Sequence, residues 1–252
     1  MTTPDPALDP ALEEALDGVE GWFSPDQVAR VSARAAEVPA GGRIVEIGSF
    51  RGRSMIAIAK AAPEGVEIFA IDPHAGNDRG PQEIEGFEDE AAVDHKVFLT
   101  NLERAGVRDR VTYVRKFSHD AHDDVPGAID LLHIDGAHRF KPAGDDIASW
   151  GARVRHGGTM LIHDSFSSIG VTLAILAKLT FSGRWRYVGR SRSLAEYRAE
   201  PPRGAAGRAA NIGRQLAQLP WFARNVLIKV LVTAKLGAAA RALGHDGETW
   251  PY

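Results

Sequence analysis

The sequence predicts an α/β fold with one mostly parallel sheet and helices on both of its faces. The stretch Arg43–Ser54 has the pattern of a buried strand, a glycine turn and the start of a helix. Three later apolar runs, VEIFAID, IDLLHID and GTMLIHD, each end in an acid, as strands do that deliver polar groups to one edge of a sheet. Residues 184–198 have the pattern of a hairpin, which gives the sheet a late antiparallel pair.

The composition narrows the class of protein. The 252 residues fit one such domain with additions, and a hydrophobic content of 44% is enough for a core. The absence of cysteine excludes disulfides, thiolate catalysis and zinc–thiolate sites, which leaves oxygen and imidazole as metal ligands. A formal net charge of −3 gives no overall electrostatic case for a nucleic-acid partner. The N-terminus is acidic and proline-rich, without a signal-peptide pattern, so we expect a cytoplasmic protein.

Charge and composition also change along the chain. Residues 1–40 contain eight acids and two bases, whereas residues 201–252 contain seven bases and two acids. The segment EPPRGAAG at 200–207 has the composition of a linker. We therefore predict three parts: an N-terminal arm and helix over 1–39, the α/β domain over 40–199, and a linker with a C-terminal amphipathic helix over 200–252.

Helix signals fall between the predicted strands. The pattern from Ser24, an N-cap, to Glu37 places an apolar face against the sheet. Further helices are predicted over 91–105, 143–154 and 168–181. Residues 78–90 are polar and interrupted by glycine, which fits either a mobile lid or an ordinary solvated loop.

The segment from Trp221 to Leu243 is predicted to be one long apolar helix. Its basic and polar side chains follow one side: Arg224, Asn225, Lys229 and Lys235. These charges at the centre of the segment argue against a bilayer-spanning helix. The pattern leaves three partners open: its own domain, a second subunit of a homo-oligomer, or a membrane surface.

The glycine turn does not have the spacing of a dinucleotide site. A G-x-G-x-x-G turn would need glycine where the chain has Phe50 and Arg53. Glu46, at the end of the strand, would repel a pyrophosphate. The turn is therefore better suited to a cationic ligand.

Four segments in this order, VEIGSFRGRS, VEIFAID, LLHIDGAHRF and GGTMLIHDS, resemble the class I S-adenosylmethionine (SAM) dependent methyltransferases. The resemblance covers residues 40–198 and is nearest to the family-24 type and to metal-dependent sugar and catechol-type O-methyltransferases. It implies a Rossmann-like seven-stranded sheet, mostly parallel with a late antiparallel strand, and SAM as the cofactor.

The resemblance also implies which residues hold SAM. The glycine turn would lie against the methionine part of SAM, and Glu46 would hold its amino group. Asp72, the acid that ends the second strand, would accept from the ribose hydroxyls. Ser118 would lie near the adenine. The predicted cofactor-binding set is Glu46, Gly48, Ser49, Gly52, Ser54, Asp72, Pro73, His74, Ser118 and Asp135.

A divalent ion and a general base are implied at the same sheet edge. Asp135 and Asp164 match two positions at which the resembling enzymes hold Mg²⁺ or Mn²⁺, with His163 as the predicted third ligand, although the family has an acid or amide pair there. Asp135 can equally serve as a structural acid. His138 matches the general base of the sugar O-methyltransferases, so the predicted catalytic residues are His138 and Asp135. His163, His74 and His119 are competing bases, and a local hydrogen-bonding role for His138 stays open.

The expected activity is SAM-dependent methylation of a hydroxyl on a small sugar, glycoside or phenol, with metal or histidine assistance. Two alternatives stay open at this stage. The acceptor could be an amine or a lipid-linked molecule, or the chain could be a non-catalytic SAM-binding partner subunit.

Overall fold

The computed structural model describes residues 7–79, 84–86 and 88–245, with the backbone alone for 77–79, 84–86 and 88. The predicted lid over 78–90 lies partly outside these ranges. Its described backbone forms a short antiparallel hairpin, in which Asn77–Arg79 pairs with Ile84–Gly86. Movement of this loop stays a prediction.

One seven-stranded sheet organises the described chain, which confirms the predicted fold class. Its strands, with the small hairpin counted as β3 and β4, are β1 (Arg43–Ile47), β2 (Glu67–Ile71), β5 (Val111–Val114), β6 (Ile129–Ile134), β7 (Val154–Ile162), β8 (Arg186–Ser191) and β9 (Leu194–Arg198). The spatial order is β5-β2-β1-β6-β7-β9-β8. All neighbouring pairs are parallel except those of β9, which runs antiparallel to both β7 and β8.

Helices cover both faces of this sheet. Their bounds are α1 (Pro10–Leu16), α2 (Pro25–Ala36), α3 (Arg53–Ala61), α4 (Glu88–Arg104), α5 (Phe140–Ser149), α6 (Ile169–Lys178), α7 (Gly204–Leu216), α8 (Leu219–Thr233) and α9 (Gly237–Ala242). The Ser24 cap of α2 is present, because its backbone N–H donates to Gln27 Oε1 at 2.9 Å. Gly106, with φ +65°, follows α4 as expected of a residue that ends a helix.

The C-terminal part differs from its prediction in two ways. The segment predicted as a linker enters α7 at Gly204, because its alanine-rich sequence favours a helix and Asn211 and Gln215 are buried against the body of the protein. The single long helix predicted from Trp221 is wrong. It breaks into α8 and α9 at Lys235, whose φ of +60° lies in the left-handed region.

The described part of the protein has two hydrophobic cores, one on each face of the sheet, and the alternating side chains of β1 contribute to both. Val45 and Ile47 join the cluster on the α5 and α6 side, whereas Ile44 joins the cluster beneath α1, α2 and α3. Glu46 shares the second face and is fully buried. The sheet thus carries an ionisable group on the face covered by the N-terminal helices. No helix in the described ranges has the length and apolarity needed to cross a bilayer.

Candidate active site

The turn after β1 requires glycine at position 48. Gly48 has φ +83°, and a Cβ there would lie 2.1 Å from the carbonyl oxygen of Asp135. Because only glycine tolerates both conditions, the end of β1 can approach the loop after β6 this closely. The backbone of the turn is thereby placed at the sheet edge where ligands of open α/β sheets bind.

Asp72 holds the turn from the end of β2. Its Oδ2 accepts from the backbone N–H groups of Ser49 (2.8 Å) and Phe50 (2.9 Å), and its Oδ1 accepts from that of His74 (2.8 Å). Three charge-assisted hydrogen bonds to one carboxylate fix the ends of β1 and β2 relative to each other. Asp72 therefore shapes the turn, and its predicted contact with a ribose stays a prediction.

His74 fastens the loop after β2 from inside. Its Nε2 lies 2.7 Å from the carbonyl oxygen of Phe50, and its Nδ1 lies 2.7 Å from the Tyr113 hydroxyl. Since a carbonyl only accepts, Nε2 carries a proton. The Tyr113 hydroxyl also donates to the Asp72 carbonyl at 3.0 Å, which ties it to the end of β2. With both ring nitrogens engaged and its residue 6% exposed, His74 is a structural part of the loop and a poor competitor for the role of base.

A cavity of about 970 Å³ opens above the turn. It brings together most residues of the predicted site: Gly48, Ser49, Ser54, Asp72, Pro73, His74, Ser118, Asp135, His138, His163 and Asp164. Its volume lies at the upper end of the range of small-ligand sites, so a cofactor and a small acceptor both have room.

Two predicted cofactor residues do not belong to the described cavity wall. Gly52 is the N-cap of α3, where its φ of +89° permits the turn. Glu46 lies in the sheet below the cavity, and its Oε1 is 3.0 Å from Nδ1 of His133 on the neighbouring strand β6. The predicted contact of Glu46 with the amino group of SAM stays a prediction, which the burial of this carboxylate makes harder to meet.

The wall around Ser118 contains an acid that the sequence analysis missed. Ser118 Oγ donates to Asp146 Oδ1 at 2.6 Å, and Trp150 Nε1 donates to the carbonyl oxygen of Ser118 at 3.2 Å. Burial raises the pKa of Asp146 to about 6, although the Ser118 hydrogen bond lowers it. Asp146 reaches the cavity from α5, and its position in an ordinary helical pattern carried no signal of a site.

Four ionisable side chains meet where β6 and β7 end. His163 Nδ1 lies 3.1 Å from Asp135 Oδ1 and 3.4 Å from Asp164 Oδ2, and His138 Nε2 lies 2.7 Å from the same Asp164 oxygen. The row is therefore acid, imidazole, acid, imidazole. His138 stands at the outer end, with its side chain 22% exposed on the cavity wall.

These neighbours determine the charges in the row. Burial alone would lower the pKa of His163, but Asp135 and Asp164 outweigh it and raise that pKa well above its usual value. Burial would raise the pKa of Asp164, but His138 and His163 hold it well below its usual range. Burial is likewise outweighed at Asp135, where His163 lowers the pKa. Asp135 and Asp164 thus favour the protonated form of His163, which lies between them.

The backbone places His138 at the end of this row. Ser168 Oγ donates to the His138 carbonyl at 3.2 Å, and a Cβ at Gly170 would lie 2.1 Å from that same oxygen. Because Gly170 has no side chain, the start of α6 packs directly on the loop after β6. Ser165, by contrast, turns into the interior, where its Oγ donates to the Ile162 carbonyl at 2.8 Å.

The segment 20–23 forms a further wall, which the sequence analysis did not predict. The Arg53 guanidinium holds this segment by donating to the carbonyl oxygens of Leu16 (3.1 Å), Val19 (2.9 Å) and Phe23 (3.1 Å). The Phe23 ring covers the inner histidines, with its centroid 5.3 Å from that of His163. Segment 20–23 takes its place in the site through packing alone, because nothing in its local sequence links it to His163, more than 100 positions later.

Residues 45–165 match the family model Methyltransf_24, described as a methyltransferase domain. Over these residues the chain is similar to this family. A protein of Sinorhizobium fredii, y4gI, is 29% identical over 127 residues, and that match spans 49% of this chain but only 13% of y4gI. The relative is thus far longer than the shared segment.

Solved methyltransferases share the fold of this chain at low identity. PaMTH1 of Podospora anserina, with bound S-adenosylhomocysteine, is 16% identical with a TM-score of 0.57, over 78% of this chain and 91% of that chain. TomG of Streptomyces achromogenes, an O-methyltransferase in complex with SAM, is 17% identical with a TM-score of 0.52, over 77% and 91% of the two chains. The class I methyltransferase fold is confirmed.

The residues present fit SAM as a cofactor. The glycine turn exposes backbone to a cavity of sufficient volume, and Ser49 Oγ is buried there without a hydrogen-bond partner among the described residues. A buried hydroxyl in that state is most readily explained by a ligand or a water that completes it. SAM supplies an electrophilic methyl group when it is bound.

The candidate metal site differs from its prediction in one ligand. Ligand atoms of Asp135, His138 and Asp164 lie within 4.8 Å of one another, so His138 completes the group in the place predicted for His163. The reason is that His163 lies inward between the two acids, whereas His138 approaches from the cavity side. Two carboxylates with one imidazole suit Mn²⁺ or another transition ion better than Mg²⁺, which prefers oxygen. Asp164 Oδ1, buried without a partner among the described residues, fits such an ion.

Proposed function

We propose that this methyltransferase transfers the SAM methyl group to a hydroxyl of a small sugar, glycoside or phenol, with His138 as the general base. The observation that carries the proposal is the pair of His138 Nε2 and Asp164 Oδ2, 2.7 Å apart on the wall of the cofactor cavity. A carboxylate behind an imidazole orients the ring and stabilises the imidazolium that forms when the base takes up a proton. The fold is shared with O-methyltransferases such as TomG, and this supports oxygen as the acceptor atom.

The transfer step balances without any other reactant. The acceptor oxygen attacks the methyl carbon as the carbon–sulfur bond breaks, and the electron pair of that bond returns to sulfur to give neutral S-adenosylhomocysteine. The hydroxyl proton passes to His138, whose positive charge Asp164 then stabilises. General-base assistance of this kind contributes about 10² to 10⁴ in rate. His138 and His163 together hold the pKa of Asp164 well below its usual range, so Asp164 is ionised for this role.

The test follows S-adenosylhomocysteine release with panels of sugars, glycosides and phenols. His138→Ala should lower kcat about a hundredfold or more while the SAM dissociation constant stays nearly unchanged, because the base acts only in the chemical step. The matched control is His119→Ala, since His119 lines the same cavity with its side chain 73% exposed. A His138→Ala enzyme that keeps more than about a third of kcat would contradict the base. Absence of release with every acceptor would favour the SAM-binding partner subunit.

A second candidate is metal-assisted transfer, favoured by the grouping of Asp135, His138 and Asp164. A bound ion would lower the pKa of a coordinated acceptor hydroxyl. We expect calorimetry to detect Mn²⁺ binding that Asp135→Asn abolishes, with Asp145→Asn, an exposed acid on α5, as the control. Full turnover after exhaustive chelation would rule out this candidate. Loss of Mn²⁺ binding in His138→Ala would assign His138 to the metal.

A cytoplasmic location of the protein stays a prediction.

A further inference from the structure

Helix α8 packs on the protein through a mixed face, on which Ile228 is fully buried. Asn225 is fully buried, with its Nδ2 donating to the Phe166 carbonyl at 3.2 Å, and Lys229 is 8% exposed. On the opposite side, Leu227 is 47% exposed and Val230 is 57% exposed. A helix that packed only on its own domain would carry polar side chains on its outer face. The outer face of α8 is apolar instead, which suits a partner outside the fold.

The exposed apolar residues form a continuous stripe. Ala223, Leu227, Val230 and Ala234, here called the outer stripe, are all exposed and follow the i, i+4, i+7, i+11 spacing of one helix face. A single exposed leucine is ordinary, but an uncharged row along a 15-residue helix marks an interaction surface. Leu236, just beyond the end of α8, is 54% exposed as well.

The positive charge near the outer stripe favours an anionic surface over a second copy of this chain as the partner. Residues 201–245 contain seven Lys and Arg and no Asp or Glu. Lys235 and Arg241, which follow the stripe, are exposed, as are Arg203 and Arg208 at the start of the unit. A second copy of this face would oppose cations with cations. An anionic surface attracts the same cations, and each adds to binding while it lies within about a Debye length, about 8 Å.

We propose that the outer stripe docks this methyltransferase on an anionic lipid surface. The stripe lies in the headgroup boundary, and the flanking cations contact lipid phosphates and carboxylates. A helix of 15 residues is about 22 Å long, shorter than the roughly 30 Å hydrocarbon core, so α8 lies on the membrane and does not cross it. This surface is separate from the cofactor cavity, so the inference stands whether or not the proposed acceptor is right.

The experiment measures co-sedimentation of the full chain with vesicles of phosphatidylcholine alone and of phosphatidylcholine with about a third phosphatidylserine. We expect binding to the anionic vesicles only, weakened by salt. Leu227→Ser with Val230→Ser should reduce it about tenfold or more. Lys235→Gln with Arg241→Gln should reduce it at low salt and change little at high salt, because salt already screens those charges.

Matched controls remove equal groups elsewhere on the surface. Val93→Ser with Phe181→Ser removes two exposed apolar side chains, and Lys60→Gln with Lys96→Gln removes two exposed cations. These variants should bind like the wild type, and the stripe variant should bind SAM like the wild type, which shows that it is folded. Equal binding to both vesicle types, or binding to neither, would overturn the proposal. So would a dimer of the wild-type chain that the stripe variant dissociates, since the partner would then be a second copy.

Discussion

The side chain of Asp146 lies in the cavity wall and accepts a hydrogen bond from Ser118 Oγ. Its residue is 6% exposed, and burial raises its pKa to about 6. An acid whose pKa is higher in the folded state than the unfolded value of about 3.9 binds more protons when folded. It therefore destabilises the fold as pH rises through that window, from about 4 to about 6.

We predict that Asp146→Asn is stabilising near neutral pH. The raised pKa corresponds to a cost of about 2 to 3 kcal/mol that is fully present above pH 6 and absent below about pH 4. Urea unfolding at both ends of that window should show a gain for the variant only at the upper end. Asp109→Asn, an exposed acid outside the cavity wall, is the control. An equal difference at both pH values would mean that Asp146 does not carry the effect.

This cost also indicates a role for Asp146. A carboxylate held in a cavity wall at the expense of stability is common at functional sites. We expect Asp146→Asn to lower the affinity for SAM measured by calorimetry, although the same variant raises the stability of the fold. A variant that is more stable and binds SAM equally well would leave Asp146 without a part in the site.

At the scale of elements, α7 covers the edge of the sheet that strand β8 would otherwise expose. The Asn211 amide accepts from the backbone N–H of Tyr187 at 2.8 Å and donates to the Trp185 carbonyl at 3.1 Å. One side chain thus bonds a backbone N–H and a backbone carbonyl at the start of β8, as a neighbouring strand would. An edge strand without such cover would be a site of association between chains.

We predict that Asn211→Ala destabilises the protein by about 2 to 4 kcal/mol, because two buried backbone groups lose their partners. Urea denaturation measures this free energy of unfolding. Arg208→Ala, an exposed position on the same helix, should change it by less than about 0.5 kcal/mol. If Asn211→Ala unfolds like the control, the edge of β8 is satisfied in some other way.

At the scale of the whole molecule, the C-terminal helices are part of the fold. Trp221 and Phe222 pack against the core on the α5 and α6 side, and the Arg190 guanidinium lies 3.8 Å from the centroid of the Trp221 ring. Removing the unit would expose this apolar surface together with the edge of β8. Deletion is therefore a poor way to test the outer stripe, and point variants are preferable.

We predict that a chain ending at residue 203 self-associates. Sedimentation velocity should show aggregates, because an uncovered edge strand and an uncovered apolar surface are both association sites. The full-length stripe variant, which keeps α7 in place, should remain free of such aggregates. A monodisperse truncated chain with wild-type SAM affinity would show that α7–α9 are dispensable for the fold.

Local sequence was sufficient for the strands of the main sheet and for much of the cavity. The strand, glycine turn and helix around Gly48 were predictable because a buried strand and a left-handed turn each restrict residue type locally. The acids that end β2, β6 and β7 were predictable because parallel strands deliver their carboxyl ends to one edge. These two rules located Asp72, Asp135 and Asp164 without any knowledge of distances.

Only the tertiary structure decided how those residues are used. Glu46 and His133 point to the same covered face because β1 and β6 pair in register, and no local pattern specifies that pairing. The order of His163 and His138 around the two acids depends on the close packing of α6 at Gly170. The segment 20–23 and Asp146 enter the cavity through contacts between parts distant in sequence. The orientation of α8 has the same origin, because Asn225 and Ile228 both pack on the body of the protein and the apolar stripe is left outside.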